Sequence, residues 1–96
     1  MSCTRMLLTV LMDGIKDAAM WMDYADKAKS ADRNDMEMWF RNHAKKRTES
    51  LKSDYDYIKD WLMFDDKIRS GDEIMAALKD YIDSQISDLE RRTEAA

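Results

Sequence analysis

Ninety-six residues with no proline, two glycines, 45% hydrophobic and 38% charged residues exclude three classes at once. They are a disordered chain, a turn-rich β domain, and a fold built on a glycine-rich phosphate loop. One small all-α domain over residues 1–96 remains, predicted as a three-helix antiparallel bundle whose long hairpin comes first. The net charge of −4 is uneven: residues 1–30 hold four acids and four bases, residues 31–64 seven of each, and residues 65–96 nine acids against five bases. That balance disfavours nucleic-acid binding by a basic surface.

The first helix is predicted over about residues 4–30. Leu7, Leu11, Gly14, Ala18, Trp21, Ala25 and Ala28 alternate at four- and three-residue steps, which is a heptad seam. Its small members invite close approach of a partner helix, with Trp21 as the large anchor. Asp23 and Lys27 are spaced for an i,i+4 ion pair. The apolar run Met6–Met12 is far shorter than the ~20 residues of a membrane span. Arg5 before it resembles the basic start of a signal peptide, but Asp13 follows and no small-residue cleavage pattern appears, so a helix start is expected. The single Cys3 has no disulfide partner, which suits a reducing, cytoplasmic setting.

Residues 30–35, SADRND, are the predicted first break, with Asp32 or Asn34 as the cap of the next helix. The second helix is predicted over about 35–64. One stripe is Met36, Phe40, Ala44, Arg47, Leu51, Tyr55, Ile58 and Leu62; a flanking stripe holds Trp39, His43, Ser50, Tyr57, Trp61 and Phe64. This apolar arc is wider than one seam needs, which implies two neighbours, within the chain or across a dimer. A single long helix is expected; Asp54 or Asp56 marks where it would kink instead. Arg47 on the core line is expected to run its stem along the bundle with its head in water; otherwise it pairs with a carboxylate of another helix or marks a partner contact.

DDKIRSG at 65–71 is the second predicted break, with Gly71 as its flexible position and Ser70 or Asp72 as cap. The third helix is predicted over about 72–92 on a core line of Ile74, Leu78, Tyr81 or Ile82, Gln85 and Leu89. The tail after it has little to bury and is expected to fray.

No catalytic, cofactor or metal set is readable. His43 is the only histidine, and the acid-rich segments lack calcium-loop spacing. What stands out is charge. Residues 41–52 sum to +4 and residues 53–66 to −4, and the third helix adds further acids. Exposed aromatic residues make binding anchors, and an acidic helical face can occupy a site evolved for phosphates. The candidate partner-binding residues are therefore Trp39, His43, Arg47, Tyr57, Trp61 and Phe64, with Asp80, Asp83 and Asp88 on the third helix.

The stretch AAMWMDYADKAKSADRNDMEMWFRNHAKKRTESLKSDY, residues 18–55, resembles the paired helices of rubrerythrins and other ferritin-like proteins. The shared features are Tyr24, Ala25 and Ala28, a short break, then Trp39-Phe40, Ala44 and Leu51. In that family the second helix carries a Glu-x-x-His that binds a di-iron centre. Aligned on Phe40 and Ala44, those ligands fall on Lys46 and Glu49, and the first-helix carboxylate falls near Ala19 or Met20. The resemblance thus implies the hairpin without its iron chemistry.

The expected function is a small non-enzymatic protein-interaction module. One version is a phage or mobile-element accessory protein that inhibits a nucleic-acid-handling enzyme through an acidic helical face. The alternatives are a self-assembling virion or cage subunit and a degenerate ferritin-like protein. The expected partner is another protein, with a homodimer open, and neither a membrane, direct nucleic-acid contact nor a cofactor is expected.

Overall fold

A turn of three residues decides how the first two helices meet. The computed structural model describes residues 3–62 and 73–94. In it α1 (Cys3–Ser30) passes to α2 (Asn34–Leu62) through Ala31, Asp32 and Arg33. The Asp32 amide donates to the Lys29 carbonyl at 3.1 Å and the Arg33 amide to the Ala28 carbonyl at 2.9 Å. Those two bonds make a Schellman cap, which needs a left-handed residue at its centre. Asp32 fills that place at φ 57°, where glycine is the usual occupant. The Arg33 carbonyl then accepts from the Glu37 amide at 2.9 Å, so Arg33 stands at the N-cap of α2. This corrects the expected cap. Asp32 closes the preceding helix and Asn34 already lies inside the next one. Asp35 and Glu37 in the first turn of α2 suit its dipole.

Helix α2 is continuous past Asp54 and Asp56 to Leu62. Helix α3 spans Glu73–Glu94, and the predicted break at 65–71 lies outside the described residues. Two cross-links give α3 its direction. Arg92 reaches Asp23 at 3.0 Å and Asp26 at 3.2 Å on α1, and Glu90 reaches Lys52 at 3.3 Å on α2. Its C-terminal end therefore lies toward the turn of the hairpin, antiparallel to α2. The result is an up-down-up bundle of 51 × 21 × 18 Å.

The core shows why one seam was not enough to describe α1. Leu11, Ala18 and Ala25 are buried as expected, but so are Leu8, Ile15 and Met22, a second row at seven-residue steps. Two rows make a broad apolar face, as suits a helix packed against both α2 and α3. The main cluster joins Leu8, Leu11, Ile15 and Ala18 to Leu51, Tyr55 and Ile58 of α2 and to Ile82, Ile86 and Leu89 of α3. Leu7 and Trp21, placed on the predicted seam, are only half-buried. On α3 the choice between Tyr81 and Ile82 falls to Ile82, and Ile86 takes the place expected of Gln85. The predicted tail also needs correction, because Thr93 is buried and its hydroxyl donates to the Glu90 carbonyl at 3.1 Å.

On α2 the core line passes through Thr48 and not through its predicted neighbour Arg47. The Thr48 hydroxyl donates to the Ala44 carbonyl at 2.8 Å, so a polar side chain enters the core without an orphaned group. Gly14 is where the hairpin is tightest. A methyl group there would fall well inside van der Waals contact of Leu51 Cδ2 and 3.4 Å from both Leu51 Cγ and Arg47 Nη2. Glycine lets the Leu51 side chain lie directly on the α1 backbone.

Tyr55 is the odd member of this core. It is buried, and its enclosed hydroxyl meets no partner at hydrogen-bond geometry. Burial first, then the nearby carboxylate of Asp83, with Asp80 and Asp56 behind it, push its ionisation well above the usual tyrosine range. Arg41 does the opposite service at the end of α3. It donates to the Arg92 carbonyl at 3.2 Å and to Glu37 at 3.1 Å, which satisfies a carbonyl in the last turn and ties α3 to α2.

Candidate interaction surface

Positions equally far from Asp32 face each other across an antiparallel hairpin. Tyr24 is thereby set opposite Phe40, Trp21 opposite His43, and Asp17 opposite Arg47. Each of these pairs is in contact. Tyr24 and Phe40 have ring centroids 5.6 Å apart, Trp21 stands edge-on to His43 at 4.4 Å, and Arg47 Nε lies 3.3 Å from Asp17 Oδ2. Trp39 completes the group by lying parallel to His43 at 5.3 Å, one helical turn along α2. Trp21 also meets Trp39 edge-on at 5.7 Å and stacks on Phe40 at 5.8 Å.

Five rings thus form one connected platform on two helices. Edge-to-face and offset contacts of this kind are worth about 0.5–1.5 kcal/mol each beyond the area buried, so the rings hold one another in place. Lys27 sits over the Tyr24 ring at 5.7 Å, instead of pairing with Asp23 as its spacing suggested; Asp23 is taken by Arg92. The platform is not core. Trp39 is 57% exposed, Tyr24 and His43 are exposed, and Trp21 and Phe40 are half-buried. Trp39, Asn42, His43 and Lys46 line a shallow open concavity on it.

The other candidates fall in four groups. Arg47 borders the platform and is paired with Asp17, the expected alternative of a carboxylate on another helix. Tyr57 is 67% exposed on the same side of α2, toward its far end. The Trp61 side chain and Phe64 lie outside what the structure describes. On α3 the acids do not make one face: Asp88 and Asp83 are about 140° apart round the helix. Asp83 is paired with Lys79 at 3.3 Å, and Asp88 with Arg91. Glu90 joins Lys52, so part of the basic stretch is answered from within the chain. Asp80 is exposed.

Trp21, Tyr24 and Phe40 were not among the predicted partner-binding residues. The signal was present in their equal distances from the turn, but it becomes readable only once the turn is fixed at Asp32. Among the described residues, no three His, Cys, Asp or Glu side chains gather closely enough to hold a metal ion, and no helix is long and apolar enough to cross a membrane. No protein-family model matches this chain, and no curated protein or solved structure shows significant similarity to it.

Proposed function

We propose that this chain is a small non-enzymatic protein-interaction module that docks through the aromatic platform of its hairpin. The observation that carries this reading is Trp39: a large apolar ring, more than half exposed, held by its stack on His43 and its edge contact with Trp21. A free-standing exposed tryptophan would be loosely placed. One locked among four other rings is pre-organised, so little side-chain entropy is lost when a partner covers it. Tryptophan and tyrosine are also the residues whose truncation most often weakens interfaces, by about 2 kcal/mol or more.

Support for docking through the acidic third helix is weaker. Two of its three candidate carboxylates are engaged by Lys79 and Arg91, and they point in different directions around the helix. The two surfaces are separable by affinity capture with tagged chain, the untagged chain itself counted as possible prey. Trp39→Ala is expected to lose the captured partner, while a variant with Asn at positions 80, 83 and 88 keeps it. Retention by Trp39→Ala with loss in the Asn variant would shift the reading to the acidic surface and its inhibitor version.

A further inference from the structure

We propose that the platform face of the hairpin is closed by a second copy of the chain, packed antiparallel about a two-fold axis beside Ser50. The proposal rests on the platform being the docking face and names its occupant.

The first observation is where α3 sits. It engages α2 through Arg41, Lys52 and Tyr55, and α1 through Asp23 and Asp26. Trp39, His43, Lys46, Ser50 and Tyr57 lie about half a turn of helix away from Arg41 and Lys52, and all are exposed. On α1 the exposed Met6, Val10 and Tyr24 and the half-exposed Asp17 continue this side. The face therefore runs the length of the hairpin, with aromatic rings toward the turn and Met6, Val10 and Tyr57 toward the far end.

The second observation is size. A face of a rod measuring 51 × 21 Å offers on the order of 1,000 Å². A stable interface of standard size takes about 800 Å² from each partner.

The third is charge, and it selects the occupant and its direction. Residues 41–52 of α2 sum to +4 and its residues 53–62 to −2. On the face itself, Lys46 and Asp54 stand equally far on either side of Ser50, as do His43 and Tyr57. A two-fold axis at Ser50 sets Lys46 of each copy opposite Asp54 of the other, and His43 opposite Tyr57. That satisfies the self-complementarity which an isologous interface demands. A parallel arrangement would set lysine against lysine and aspartate against aspartate, which like-charge repulsion opposes. The small side chain of Ser50 leaves room for the backbones to approach at the axis. Arg47 and Asp17, already paired nearby, bring no net charge into the middle.

The test is sedimentation of the full chain from low micromolar to several hundred micromolar. The wild type is expected to move to twice its 11.3 kDa mass. Lys46→Glu and Asp54→Lys each place like charges in both symmetric contacts, so each alone is expected to dimerise about ten-fold more weakly or worse. Mixed in equal amounts they are expected to recover a dimer, because one brings an acidic face and the other a basic one. Circular dichroism of each variant confirms that it is folded before it is scored. Dimerisation unaffected by either substitution, or no recovery on mixing, overturns the proposal. So does a wild type that stays monomeric throughout. If that monomer still loses a captured partner on Trp39→Ala, the docking face stands and only its occupant is wrong. If a wild-type dimer forms but ignores both Trp39→Ala and the charge exchange, both readings fall.

Discussion

Gly14 offers a sharp test of the packing described above, because two opposed effects of known size meet there. In an exposed helix interior, Gly→Ala stabilises by about 1 kcal/mol through helix propensity. At position 14 the new methyl group enters the space of Leu51 Cδ2, and Leu51 is 3% exposed, so it has nowhere to turn. Forcing a methyl group into a closed core costs about 1–3 kcal/mol. Gly14→Ala should therefore be destabilising by about 0–2 kcal/mol. The decisive measurement is the double-mutant cycle with Leu51→Ala. That change alone costs about 2–5 kcal/mol. Once Leu51 is truncated the clash is gone, and Gly14→Ala should become stabilising by about 1 kcal/mol. The coupling between the sites is thus about 1–3 kcal/mol. Urea unfolding followed by circular dichroism gives all four stabilities, at two protein concentrations so that association is separated from folding. If Gly14→Ala stabilises by the same ~1 kcal/mol in both backgrounds, Leu51 does not rest on the α1 backbone.

Three further outcomes follow from the same geometry. Asp32→Gly should raise stability by about 0.5–1 kcal/mol, since it relieves a side chain from φ 57° in the Schellman cap; a loss in the urea midpoint would mean the Asp32 side chain supports the turn in some other way. Tyr55→Phe should change stability by less than about 1 kcal/mol at pH 7, because the enclosed hydroxyl it removes lies near the Asp83 carboxylate but makes no hydrogen bond of good geometry. With rising pH the unfolded chain's phenol ionises near 10 while the buried one, its pKa raised by burial and Asp83, stays protonated; wild-type stability should then fall by about 1.4 kcal/mol per pH unit from this group, and Tyr55→Phe should lack that slope. Arg92→Ala should lose about 1 kcal/mol at low salt, through its contacts with Asp23 and Asp26, and lose nearly nothing at about 1 M salt; an equal loss at both would show that its stem, not its charge, holds α3.

The three-helix architecture and the first break were legible because they depend on local chemistry: apolar residues at helical spacing, and short polar residues where the spacing lapses. The phase of each helix was less legible. A single heptad seam through Leu7 and Trp21 misses Leu8, Ile15 and Met22, because a helix with two neighbours buries two rows. Arg47 and Thr48 show a different difficulty. Hydrophobicity gives no reason to bury the threonine, and only the bond to the Ala44 carbonyl makes its burial cheap, while Arg47 has the reach to leave the core for Asp17. Trp39 and His43 were readable as neighbours on one helix face. Trp21, Tyr24 and Phe40 join them through the register of the hairpin, which the left-handed Asp32 sets and which no composition reveals.

The up-down-up order of the three described helices has a mechanical consequence. Cys3 and Glu94, the outer ends of α1 and α3, lie toward opposite poles of a rod 51 Å long. A single copy is therefore directional, and a load drawn between its ends runs along the helices and shears α3 against the hairpin. Pairing two copies antiparallel about a two-fold axis would cancel that direction. Each pole would then carry one beginning and one end, and anything attached to either terminus would be displayed at both poles.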